Sequence, residues 1–273
     1  ELFHTAFLVH DDVEDGSEFR RGAVTMLRSH GVPIAVNVGD ATNVLAMGPL
    51  LENVTTIGVR KALLVFREVE RMARESAEGQ AIELGWIADG TFDLTDRDYV
   101  RMAHKKTCWY TVIAPLRIGV ICGTPPGTAA PLDDELTTLV ELGHLAGIAF
   151  QITDDLLNLE AEQTVYGKET AGDLWEGKRT VMLLHFVRTA PPAQRERALA
   201  LLAKPRNAKS AAEVDWLLSA MREQGSLEHG RRLAREYCER ALELEPRAMA
   251  RAVEGDDRRF LREMISYVIE RLR

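Results

Sequence analysis

The chain has 273 residues, 46% of them hydrophobic, and no composition break or long Gly/Ser/Pro linker interrupts it, so it reads as a single domain, residues 1–273, with a substantial buried core. A net charge of -8 argues against nucleic acid as a partner and fits an enzyme of the reducing cytoplasm. The three cysteines, Cys108, Cys122 and Cys238, have neither framework nor metal-ligand spacing, which argues against disulfides and against a zinc site.

Apolar residues recur at helical spacing almost everywhere, and alternating strand patterns are scarce, so the expected class is all-α, a helical bundle. The expected helices run about Leu2 to Val13, Val32 to Glu52, Val59 to Ala88, Asp96 to Cys122, Asp133 to Asn158 and Arg179 to Thr189, with four or more shorter ones beyond. Breaks are signalled at Gly90-Thr91, at Gly123-Thr124-Pro125-Pro126-Gly127 and along the polar stretch Glu160 to Gly177, which reads as a lid over phosphates. The tail after Ala190 carries no chemical motif and reads as packing and solvated surface. No run reaches the roughly 18 uninterrupted apolar residues of a membrane span; the best candidate, Thr111 to Cys122, contains Pro115 and Arg117. The chain opens at Glu1-Leu2-Phe3 directly in an apolar helical run, without an initiator Met, and a preceding segment is expected.

Chemistry concentrates in two acidic clusters at the ends of apolar helices, Asp11-Asp12-Val13-Glu14-Asp15 and Asp154-Asp155-Leu156-Leu157-Asn158. Positions i and i+4 share a helix face, so Asp11 pairs with Asp15 and Asp154 with Asn158. Like charges so placed repel, and a hard cation resolves the repulsion. Arg20 and Arg21 follow the first cluster, and guanidinium groups suit phosphate oxygens. Acids for magnesium beside arginines for phosphate suit a diphosphate substrate. Gln80 and Glu83 read as satisfying a buried hydrogen bond, Thr107 as bonding back to and distorting its own helix, His10 as structural, and Tyr99, Trp109 and Tyr110 as core.

These strings, His10-Asp11-Asp12-Val13-Glu14-Asp15 with Arg20-Arg21-Gly22, then Gly79-Gln80, Lys106-Thr107, Phe150 to Asp155, Gly167-Lys168 and Asp173 to Lys178, make the chain resemble the trans-isoprenyl diphosphate synthases, the family of farnesyl and geranylgeranyl diphosphate synthases. The resemblance implies an isoprenoid synthase-type helical bundle around a central cavity, with N-terminal helices, including a basic segment for isopentenyl diphosphate, missing from its start. It implies three magnesium ions ligated by Asp11 and Asp15 from one wall and Asp154 from the other, with Asp12 and Asp155 as nearby acids. Arg20, Lys106 and Lys168 would hold an allylic diphosphate, Arg21 would hold isopentenyl diphosphate, and Gln151 would lie by the reacting end, with Thr107 and Lys178 completing the substrate contacts. A homodimer is implied, with Val32 to Leu51 and Val112 to Cys122 as candidate interfaces.

Asn158 departs from the family's usual third aspartate. Glu162, eight residues after Asp154, resembles a class I terpene cyclase motif, but aromatics make up only 6% of the chain and the paired arginines suit a second diphosphate. A noncatalytic synthase subunit would keep this fold while losing acids or arginines, and most of the acids are present. A purely structural helical protein would need no convergent acids and bases at all. Phe7 and Phe3, about 6 and 12 Å below Asp11 along the helix, are expected to set the pocket depth, with Ala6 leaving one side open; the resemblance implies that one aromatic in place of two just before the acids gives a geranylgeranyl product first and a farnesyl product second.

Overall fold

The computed structural model describes residues 1–125, 132–160 and 171–271, the side chains of 132 and 133 excepted. Helices follow one another from α1 (Leu2–Asp15) through α2 (Met26–His30), α3 (Val32–Leu45), α4 (Met47–Ile57), α5 (Val59–Ala88) and α6 (Asp96–Ala103). A π-helical segment, His104–Ile113, joins α6 to α7 (Ala114–Gly123); then come α8 (Leu132–Glu160), α9 (Gly172–Glu176), α10 (Val181–Thr189), α11 (Pro192–Leu202), α12 (Ala211–Glu223), α13 (Ser226–Ala248) and α14 (Asp256–Glu270). The fold is all-α, as expected. The described strands, β1 (Phe19–Arg20) and β2 (Ala23–Val24), form one tight antiparallel hairpin.

Two expected helices are divided, each at a proline. The stretch from Val32 breaks at Ala46, which lets Pro49 fall in the first turn of α4, where its missing N–H has no helical partner to lose. Pro115 likewise has no donor for the carbonyl of Thr111, and the backbone ahead of it widens by one residue per turn, closing with Ala114 N–H on Trp109 O.

The 29-residue α8 is the central post, packed against α13 on one side and the π segment on the other. Glycines allow the close approach: a Cβ at Gly143 would meet Ile113, one at Gly147 would stand 2.6 Å from Cys108 Sγ, and one at Gly79 of α5 would overlap the backbone nitrogen of Lys106. The π segment is therefore held between α5 and α8. One core cluster, around Ile148, Ile152, Leu156 and Met182, fills the space toward α10 and α13; a second, around Val69, Leu139 and Leu142, joins α5, α7 and α8. The second is crossed by a buried ion pair in which Arg117 donates to Glu68 at 2.6 and 2.7 Å and to the Leu136 carbonyl at 2.5 Å.

Two stretches among the described residues are long and apolar enough to cross a membrane by length and composition, which a search for unbroken apolar runs passes over. Asp134–Glu160 is the mostly buried core of α8, whereas Val32–Ile57 is only 17% buried.

Candidate active site

The first cluster sits at the C-terminal end of α1, where Gly16, with φ 64°, ends the helix by donating to the Asp12 carbonyl. The β1–β2 hairpin then turns the chain back through Arg21 and Gly22, both at positive φ, as a two-residue turn of this hand requires. Thr25 Oγ1 locks the return by donating to the Ser17 carbonyl at 2.7 Å. Arg20 is thereby aimed at the acids, its Nη2 donating to Asp11 Oδ2 at 2.9 Å and its Nε to Asp12 Oδ1 at 2.7 Å. Asp12 itself is buried, so it anchors the arginine from behind.

A cavity of about 820 Å³ is lined by Asp11, Arg20, Arg21, Lys106, Thr107, Gln151, Asp154, Asp155 and Lys178, so the two acidic walls share one space. A second cavity of about 650 Å³ adjoins it through Asp11, Arg20, Asn158, Asp173 and Lys178, and Asp15 faces this one. Each of the two lysines is held by acids. Lys106 pairs with Glu83 and lies 3.6 Å from Asp11, and Lys178 pairs with Asp15 at 2.6 Å and Glu176 at 3.0 Å. Burial works against the Lys106 charge, but Glu83 and Asp11 outweigh it and raise its pKa. Burial pushes the Asp15 carboxyl up to about 7 in spite of Lys178, with Asp11 and Glu176 adding to the rise. Carboxylates packed at this density with oxygen as the only donor type suit a hard divalent ion such as magnesium.

On the second wall a chain of bonds fixes the polar groups. Thr107 Oγ1 donates to Gln151 Oε1 at 2.5 Å, Gln151 Nε2 donates to Asp155 Oδ1 at 2.6 Å, and Tyr99 OH donates to Asp155 Oδ2 at 2.7 Å. Asp155 is thus spent on orientation, and burial raises its carboxyl to about 7 despite these two donors. The segment is distorted at Thr107, as expected, but its hydroxyl bonds across to α8 and not to its own helix. Tyr99 is buried as expected, yet its hydroxyl belongs to the site.

Several expectations need correction. Buried Glu83 does satisfy a hydrogen bond, accepting from Lys106, and Gln80 donates to Glu14 at 2.6 Å, but both also line the main cavity. Asn158 accepts from the Asp173 N–H at 3.1 Å, so its side-chain oxygen holds the start of α9, and it is Asp173 that adds a carboxylate to both cavities. Phe3 and Phe7 line the cavity floor, with ring centroids 6.5 Å apart, but Ala6 is fully buried, does not line the cavity and opens no side of it. Tyr110, expected in the core, completes the floor edge-on to Phe7 at 6.3 Å and stacked on His4 at 5.8 Å. The tail is not chemically silent: Arg206, Asn207 and Lys209 line the smaller cavity, where Arg206 pairs with Glu176 at 3.2 Å and burial brings Lys209 down to about 8. The basic pair three residues apart after Pro205 was the available sequence signal. Lys168 and Glu162 lie outside the described residues.

Comparison with known proteins agrees with this geometry. The polyprenyl synthetase family profile matches residues 1–221. A short chain isoprenyl diphosphate synthase of Methanothermobacter thermautotrophicus is 30% identical over 99% of this chain and 77% of its own length. An octaprenyl diphosphate synthase of Escherichia coli is 33% identical over 89% of this chain and 69% of its own. The crystal structure of a polyprenyl synthase from Caulobacter crescentus, complexed with calcium and isoprenyl diphosphate, superposes with a TM-score of 0.83 at 26% identity, covering 98% of this chain and 75% of that one.

Proposed function

We propose, because the chain belongs to the polyprenyl synthetase family and its acids and cations converge on one cavity, that its trans-prenyl diphosphate synthase activity joins isopentenyl diphosphate to an allylic diphosphate and stops at a geranylgeranyl product. The observation that carries this reading is the meeting of Asp11 and Asp154, from helices far apart in sequence, in a space also lined by Arg20, Arg21, Lys106 and Lys178.

Asp11, Asp15 and Asp154 would hold the magnesium ions, which when bound supply positive charge to the departing pyrophosphate. Arg20, Lys106 and Lys178 would grip the allylic diphosphate; Arg20 and Lys178 are held ready for it by Asp11 and Asp15, which would also hold metal, and Lys106 by Glu83. Arg21, at the hairpin tip and lining the main cavity, holds the diphosphate of isopentenyl diphosphate. The Thr107–Gln151–Asp155 chain fixes the Gln151 amide by the reacting allylic carbon. The isopentenyl double bond attacks that carbon, the allylic C–O bond having broken, and the proton then lost passes to the pyrophosphate.

Product length follows from the floor. Phe7, Phe3 and Tyr110 close the cavity below Asp11 and stop the growing chain. Replacing Phe7 by Ala opens the first of these stops. Chromatography of dephosphorylated prenols should give a twenty-carbon product for the unaltered chain and longer ones for Phe7→Ala; unchanged length in the variant counts against this floor.

The open face of α3 and α4 supports a homodimer, since Val32, Ile34, Val44, Leu45 and Leu51 are all exposed. The second candidate stretch, Val112 to Cys122, is partly spent on the core through Ile113, Ala114 and Ile121.

A further inference from the structure

Behind the diphosphate site, three side chains that the reaction does not use come together. His104 and Cys108, four residues apart on the π segment, and His144 on α8 bring one ligating atom each within 4.8 Å of one another. The two imidazoles face each other through Nδ1 at 3.1 Å, with ring centroids 4.9 Å apart. Cys108 is fully buried, and among the described residues its thiol donates to the His144 carbonyl at 3.7 Å. Gly147 makes the meeting possible, because any side chain there would strike Cys108 Sγ. The cysteines' spacing along the chain gave no sign of this; the trio forms across 40 residues.

We propose that His104, Cys108 and His144 bind a thiophilic metal ion of the zinc type, distinct from the hard ions of the diphosphate site, and that this ion staples the π segment to α8. Two imidazoles and a thiolate are a soft, nitrogen-and-sulfur set, whereas the acids around Asp11 and Asp154 offer oxygen alone, so ligand type sorts two kinds of metal between the sites. Burial holds both imidazoles neutral, His144 down to about 4, and pushes the thiol upward. Binding therefore displaces one proton, from Sγ to solvent, as the sulfur–metal bond forms. The imidazoles keep theirs on Nε2 in place of the shared Nδ1 hydrogen bond. A groove of about 870 Å³ opens at His104 and His144 and supplies the entry path. Its arginines, among them Arg71, Arg101 and Arg247, oppose a bare dication but suit an anion or hydroxide at the fourth position, which three protein ligands leave open. The position of the staple matters because His104 and Cys108 flank Lys106 and Thr107, and His144 lies two turns before Gln151.

Cobalt(II) added to the full chain in excess magnesium tests this, with exposed Cys122 replaced by Ser. Oxygen ligands at the diphosphate site give no thiolate-to-cobalt charge-transfer band, whereas the proposed site gives one in the near ultraviolet, bleached by equimolar zinc. We expect the band to vanish in Cys108→Ser and cobalt affinity to fall at least tenfold in His144→Gln. No band in the folded protein, or an undiminished band in Cys108→Ser, overturns the proposal. Should Cys108→Ser fail to fold by circular dichroism, His104→Gln carries the same test, and an unchanged band and affinity there overturn it equally.

Discussion

Asp15 carries a charge that its surroundings oppose. It is buried and close to Asp11 and Glu176, and Lys178 offsets only part of that, so its carboxyl titrates near 7. Below that pH the proton occupies a position a metal needs; above it the carboxylate is available. Magnesium affinity should therefore rise as pH increases through about 7 and fall on the acid side, with proton release accompanying binding near pH 6 and fading by pH 8. Titration calorimetry of magnesium with inorganic pyrophosphate, in two buffers of different ionisation enthalpy, measures that release, and pH-independent affinity from 6 to 8 contradicts this account of Asp15. At this scale the sequence was most legible where a charge had no other reason to exist. Asp11, Asp15 and Asp154 stood out because acids clustered at the end of an apolar helix repel one another and are costly. Tyr99, Tyr110 and Glu83 did not stand out, because an aromatic or a single acid on an apolar helix has the same pattern whether it faces a core or a cavity.

The π segment is the element that shapes the second wall. An ordinary α-helix through residues 104–113 would rotate Lys106, Thr107 and Cys108 relative to one another by a different step, and Lys106 toward Glu83 and Thr107 toward Gln151 would not be reached together. Its backbone lies against Gly79, where no side chain fits. Gly79→Ala should displace Lys106 and Thr107 together, lowering activity by at least about tenfold, since small misplacements of positioning groups can cost about a hundredfold. The same variant should lower the melting temperature, and a Gly79→Ala protein with unaltered turnover and melting would mean that the close approach is unimportant. Helical periodicity disclosed that these residues form helix but not which register they take, because ten residues make only about two to three turns, too few for the apolar pattern to tell a π period from an α period. Pro49 and Pro115 were the legible cues to both departures, and each acts through its absent N–H.

The whole molecule pairs a well-filled interior with an unusually open apolar face. Val44 and Leu45 are 71% and 67% exposed on α3, and Leu51 is 65% exposed on α4, while Leu63 and Phe66 extend the same kind of surface onto α5. A homodimer formed through this face should dissociate when charge is placed in it, so Leu45→Asp with Leu51→Asp should sediment as a monomer at micromolar concentration where the unaltered chain sediments as a dimer. A monomeric unaltered chain, or a doubly substituted chain that still dimerises, argues against this face. Fold class was readable from pattern and spacing, and the facing of the two acidic walls from the family resemblance that their motifs carry. The smaller cavity was not, since Arg206 and Lys209 reach it only through the way the tail returns past α9, and no local periodicity encodes that return.

The most direct test of the convergent acids and cations is pyrophosphate release from geranyl or farnesyl diphosphate in magnesium, with and without isopentenyl diphosphate, for the unaltered chain and Asp154→Asn. Release that requires isopentenyl diphosphate, yields an elongated prenyl diphosphate and falls by about 100-fold or more in the variant is the expected result. Release without isopentenyl diphosphate, as a cyclase would give, or full activity in Asp154→Asn, contradicts it.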